Sequence, residues 1–173
     1  MPCLLLRGSF AAAAILLSAL SSAAELSLAV EVPKLNVSEY HRPYVAIWVE
    51  RDDQSVAANL AVWYETGDRK EGTKYLNELR QWWRRSGREQ TFPIDGVTGP
   101  TKPVGVHQLR FAGTQKPLAT LAPGHYTLVV EAARENGGRE VVRIPFQWPA
   151  KDAQSLQVKG ERELGTVALN LTP

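Results

Sequence analysis

The sequence predicts a mainly β protein: a two-layer antiparallel β-sandwich of immunoglobulin-like type with one inserted amphipathic helix. Three observations predict it. Apolar residues recur with a period of two in several separate segments, turn residues punctuate those segments at short intervals, and only residues 73–86 carry a helical period.

The first strand signal is Leu26–Val32, where apolar residues alternate with small or polar ones until Pro33 stops the run. Tyr44–Glu50 and Leu60–Tyr64 repeat it with β-branched and aromatic residues, joined through a hairpin loop at Asp52-Asp53-Gln54-Ser55. In Thr73–Ser86 the pattern changes. Leu76, Leu79 and Trp83 fall at i, i+3 and i+7, one face of a helix, with Thr73 as N-cap and Gly87 as the stop. This places Leu79 and Trp83 in the core, Arg80 and Arg84 in solvent, and Arg84 and Arg85 at the negative end of the helix dipole.

Phe92–Gly105, rich in Gly, Pro, Thr and Asp, reads as a long structured loop, followed by a short strand at Val106–Phe111. Ala122-Pro123-Gly124 is a turn. Tyr126–Glu135 and Arg139–Trp148 form a hairpin around Asn136-Gly137. Both faces of that hairpin carry apolar residues, so its register is left open. Lys151–Glu161 reads as a polar connection, and Val167, Leu169 and Leu171 alternate in a last strand.

Residues 1–24 read as a signal peptide. Arg7, the apolar stretch Phe10–Leu20 and the small residues Ser21-Ser22-Ala23-Ala24 give a positive start, an apolar core too short to span a bilayer, and a peptidase exit. The expected product starts at Ala24 or Glu25, a single periplasmic β-sandwich domain over 25–173 that does not span the membrane. Cys3 and Met1, the only sulfur-bearing residues, fall inside the leader. A sulfur-free mature chain has no thiol nucleophile, disulfide, thiolate metal site or methionine-ligated haem or copper.

Hydrophobic content of 44% and charged content of 22% are ordinary for a globular fold. A formal net charge of +2 in an exported chain argues against nucleic acid as a partner. His41, His107 and His125 show no paired ligand spacing, so no metal site is expected. There is no G-x-S-x-G elbow and no other recognisable catalytic set, so no catalytic residue is assigned and no enzymatic activity is expected. Trp82 and Trp83 suit either a planar ligand or the core. Arg80, Arg84, Arg85 and Arg88 suit either an anion or a solvated helix face. Glu131, Arg134 and Glu135 suit either a charged site or exposed strand pairing.

Five pieces, in this order, resemble the family of predicted periplasmic proteins known as domain of unknown function 2271. They are Arg42–Trp48, Leu79–Trp83, Asp95–Gly99 with Lys102–Gly105, Pro123–Tyr126, and Glu131–Glu135. The resemblance implies a periplasmic location and no enzymatic activity. It also implies association with PepSY-type membrane proteins and with the flavin transferase that attaches FMN to proteins, in iron-linked redox systems.

Asp95-Gly96-Val97-Thr98-Gly99-Pro100-Thr101 resembles the acceptor motif of that transferase, with Thr101 as the hydroxyl that forms the phosphoester with FMN. Such chemistry needs an exposed hydroxyl on a slim loop, and Gly99 supplies the slimness. Pro100 stands where the motif has Ala, fixing its own φ and holding Gly99 extended. The same composition is equally that of a simple turn loop. The expectation is therefore a cofactor-free accessory or binding module of a membrane-associated redox or iron-uptake system. The alternative is an electron carrier with FMN bound through Asp95, Thr98, Gly99 and Thr101.

Overall fold

A computed structural model describes residues 24–173; the expected signal peptide, apart from Ala24, lies outside the described residues. Nine strands form two packed sheets. They are β1 (Glu25–Val32), β2 (Tyr44–Glu50), β3 (Val56–Tyr64), β4 (Thr98–Pro100), β5 (Gly105–Ala112), β6 (Gly124–Ala133), β7 (Arg139–Trp148), β8 (Gln154–Lys159) and β9 (Thr166–Thr172). One sheet has the order β5-β1-β9-β8 and the other β4-β3-β2-β6-β7. All pairings are antiparallel except the short β3–β4 pair, which is parallel.

The period-two patterns build the inter-sheet core. Leu26, Leu28 and Val30 of β1 and Val167, Leu169 and Leu171 of β9 face Val45, Ile47 and Val49 of β2 and Leu128 and Val130 of β6. The five-stranded sheet is buried on its other face as well. There Ala46, Trp48, Val62, Tyr64, Val129 and Ala133 pack against Leu76, Leu79 and Trp82. The molecule is thus a sandwich with a third, helical layer on one sheet. That layer explains why β6 carries apolar residues on both faces. The β6–β7 register is Leu128 opposite Ile144 and Ala133 opposite Arg139.

The hairpin turn spans 134–138, with Asn136 at φ +52 and the Gly137 N–H donating to the Arg134 carbonyl at 3.0 Å. A Cβ on Gly137 would stand 2.4 Å from the Arg134 guanidinium, so close approach demands the glycine.

Three expectations need correction. Lys151–Glu161 is not only a connection, because β8 lies within it as an edge strand. Only one of its faces meets the core, through half-buried Leu156 and Val158, which makes its composition read as polar. The loop 92–105 contains β4.

The single helix over 73–86 is also replaced by shorter pieces. These are α1 (Arg69–Lys74), a 3-10 turn at Leu76–Glu78, α2 (Arg80–Arg85) and a second 3-10 turn at Gly87–Glu89. Leu79 sits between them at φ −76, ψ 68, outside helical geometry. The break resets the helical face: Trp82, not Trp83, is fully buried, while Leu79 is buried and Arg80 and Arg84 are exposed as expected.

The break has a physical cause in Glu131 of β6. Its carboxylate is completely buried and accepts the N–H groups of Gln81 (3.1 and 3.0 Å) and Trp82 (2.8 Å). It also accepts from Arg139 at 2.9 Å. A sheet residue thus caps α2, where Leu79 offers no capping side chain.

A second carboxylate, one register pair away on the other face of the hairpin, anchors the chain before β9. Glu140 accepts four backbone N–H groups, from Glu161 (2.6 Å), Arg162 (3.0 Å), Glu163 (2.8 Å) and Leu164 (2.9 Å). Burial pushes its pKa up, but the four donors outweigh burial and hold it below the ordinary glutamate value. The folded pKa is lowered, so its contribution to stability is fully present above the unfolded value and is lost as pH falls through the folded one. Glu140→Gln is therefore expected to be less stable than wild type at pH 7, with the difference shrinking on acidification below the carboxylate range. Urea unfolding of both proteins at pH 7 and pH 3 checks this.

Candidate functional site

The motif segment that the sequence singles out lies against the edge of the five-stranded sheet. Thr98-Gly99-Pro100 is β4, with Thr98 opposite Val62 and Pro100 opposite Tyr64. The Val62 N–H donates to the Val97 carbonyl at 2.9 Å, and the Thr101 N–H to the Tyr64 carbonyl at 3.1 Å. The Thr98 hydroxyl accepts the Ile94 N–H at 2.8 Å. Asp95 is exposed and Gly99 half-buried against the Trp63 indole. Thr101 is 8% exposed. The exposed acceptor hydroxyl on a free loop that flavin attachment demands is not what this segment presents.

Thr101 instead lies in the wall of a cleft of about 720 Å³ between the helical layer and the β6–β7 hairpin. Tyr40, His41, Arg42 and Tyr44 come from the chain entering β2. Glu65 follows β3. Glu71, Gly72, Tyr75 and Glu78 come from α1 and the turn after it. Ala133 to Gly137 form the hairpin end. Gly72 lets α1 close on β3, because a Cβ there would stand 1.8 Å from the Glu65 carbonyl oxygen.

Carboxylates and phenols dominate the wall. Glu65, Glu71, Glu78 and Glu135 face Arg42 and Arg134. The Arg134 charge is already met by Glu163 in a buried two-bond pair at 2.9 and 3.1 Å. Glu71 is met by Lys74 at 2.5 Å and Glu78 by Arg80 at 3.7 Å, so Glu65 and Glu135 against Arg42 leave the cleft slightly acidic. Burial raises the pKa of both Tyr40 and Tyr44 above the ordinary phenol value.

Two buried polar atoms here have no hydrogen-bond partner: the Tyr40 hydroxyl and His41 Nε2. The latter lies 3.2 Å from Glu39 Oε1, an ion-pair distance without hydrogen-bond geometry, and His41 Nδ1 lies 3.6 Å from Glu135. Buried polar atoms normally find partners, and the Tyr40 hydroxyl, which has none, marks a place where a polar ligand has something to bind.

The remaining sequence candidates disperse. His41 is in the cleft, His107 accompanies Trp63 with Nε2 2.7 Å from the Pro103 carbonyl oxygen, and His125 is exposed on β6. No group of three or more His, Cys, Asp or Glu residues that could hold a metal ion occurs among the described residues. No helix among them is long and apolar enough to cross a membrane. Arg85 leaves the solvated face and pairs with buried Glu50, which also accepts Trp48 Nε1 at 2.8 Å. Glu131 is paired with Arg139 and Arg134 with Glu163, so of that sequence trio Arg134 and Glu135 line the cleft and only Glu135 is exposed. Sequence reasoning missed Tyr40, Tyr44, Glu65, Glu71, Tyr75 and Glu78. They are scattered over four segments, and no local spacing connects them.

The family described as predicted periplasmic protein, domain of unknown function 2271, matches residues 25–166. No curated protein and no solved structure matches.

Proposed function

Because the chain belongs to the family of predicted periplasmic proteins called domain of unknown function 2271, we propose that it is a non-enzymatic periplasmic accessory module. In this reading its acidic, tyrosine-lined cleft receives a basic segment of a protein partner. One observation carries the reading: four glutamates and three tyrosines converge on one cleft from separately anchored elements. A lysine or arginine side chain gains both charge pairing and contact with phenol faces in such a place. The Tyr40 hydroxyl and His41 Nε2 supply hydrogen-bonding capacity for the accompanying backbone. The family resemblance makes a PepSY-type membrane protein of a redox or iron-uptake system the partner of choice.

A photoreactive residue at Tyr75, on the rim and 47% exposed, should cross-link to that partner in the native periplasm. The same residue at Gln108 on the far sheet should not. Equal products from both positions, or none from Tyr75, reject the docking site.

The alternative, FMN esterified to Thr101, would require β4 to leave β3 before a transferase reached the hydroxyl. Intact-mass analysis after co-expression with a flavin transferase is expected to find both wild type and Pro100→Ala unmodified, since Ala at position 100 leaves the bonds of Val62 and Thr101 in place. Stoichiometric FMN on wild type that Thr101→Ala removes would put the carrier reading first.

A further inference from the structure

The helical layer has a second exposed face whose charge is opposite to that of the cleft. A smaller cleft of about 440 Å³ is lined by Asn77, Arg80, Trp83, Arg84 and Arg139. Arg143 of β7 stands beside it, its guanidinium donating to Gln81 Oε1 on α2.

The charges of this face are unequally used. Arg139 is committed to buried Glu131 at 2.9 Å, and Arg80 reaches exposed Glu78 at 3.7 Å. Arg84 and Arg143 have no carboxylate within ion-pair distance among the described residues. Arg84 is nonetheless positioned, because its Nε donates to the Arg80 carbonyl at 3.1 Å. Trp83 is half-buried and fixed by stacking on Phe92, with ring centroids 6.4 Å apart and planes at 14°. Its remaining surface lines the cleft.

We infer that this face docks on the anionic phospholipid headgroups of a bilayer surface. Guanidinium forks match phosphodiester oxygens, and a fixed indole suits the headgroup level, where tryptophan is enriched. A bilayer fits better than a soluble phosphate because the cations are spread over an open face rather than enclosed. The Arg80 side chain is 65% exposed and that of Arg139 is 37% exposed. A periplasmic protein also lies within reach of membrane surfaces on either side. The small net charge of +2 makes the attraction local to this face and sensitive to salt.

Vesicle flotation tests this. The probes are vesicles of phosphatidylcholine alone and of phosphatidylcholine mixed with phosphatidylglycerol, with wild type, Arg84→Gln/Arg143→Gln and Trp83→Phe. The two arginines are exposed, so the double variant should keep the wild-type melting curve, checked by circular dichroism. Wild type is expected to float only with the anionic vesicles and to release as salt rises. Each interfacial cation contributes about fivefold, so the double variant should bind about 25-fold more weakly. Trp83→Phe, which keeps an aromatic ring against Phe92, should bind more weakly than wild type at every salt concentration. Equal binding to neutral vesicles, or a folded double variant that binds like wild type, overturns the inference. Saturable binding of inorganic phosphate without vesicle binding also overturns it, in favour of a soluble-anion site.

Discussion

Replacing Glu131 by alanine is expected to destabilise the protein by about 3–5 kcal/mol, the range for removing one partner of a buried ion pair. The carboxylate is fully buried and has three partners: the Gln81 and Trp82 N–H groups and the Arg139 guanidinium. Its loss leaves the first donors of α2 without an acceptor and Arg139 beside Arg80 and Arg84 without its carboxylate. Glu131→Gln retains an acceptor oxygen for α2 but not the charge for Arg139, so its cost should be smaller. Urea unfolding of the three proteins at pH 7 measures the order. A neutral Glu131→Ala would mean that α2 is held without its cap from the sheet.

The second large effect separates two adjacent indoles. Trp82 is fully buried, packs in the cluster between α2 and the five-stranded sheet, and donates from Nε1 to Asn59 Oδ1 at 2.9 Å. Trp82→Ala should cost about 3–5 kcal/mol, as large-to-small core changes do. Trp83 is half-buried and stacked on Phe92, so Trp83→Ala should cost about 1–2 kcal/mol. Equal costs would mean that one continuous helix, with both rings inward, describes 73–86 better than two short ones.

That contrast also locates what the sequence could and could not reveal. Strands with one buried face announced themselves: β1 and β9 alternate, and the Tyr44–Glu50 boundaries coincide with β2. The hairpin turn was legible because Asn136 tolerates positive φ. The register of β6 was not, since a strand buried on both faces loses its alternation. The break at Leu79 was invisible for a different reason. Its cause, Glu131, stands fifty residues from Gln81 in sequence, so helical periodicity ran through the interruption. Trp83 was consequently assigned the place that Trp82 occupies.

The candidate site was legible only in part. The segment around Thr101 was singled out for its composition, yet pairing with β3 turns it into wall rather than loop. The Arg-rich stretch was noticed, but the separation of Arg85, bound to Glu50, from open Arg84 required the fold. The acidic cleft was not legible at all. Glu65 follows β3, Glu78 belongs to the helical layer and Glu135 to the hairpin turn, and they meet only because α1 closes over the end of β3 beside the hairpin.

Calorimetric titration with an oligolysine peptide tests the cleft most directly as a site for basic segments. Saturable binding that weakens with salt is expected, with no binding of an oligoglutamate peptide. Glu78→Gln and Glu135→Gln remove exposed carboxylates of the wall. Each should lower affinity by roughly 0.5–1 kcal/mol, about fivefold to thirtyfold for the pair. Absence of oligolysine binding, or binding that the double variant leaves unchanged, would contradict that role for the cleft.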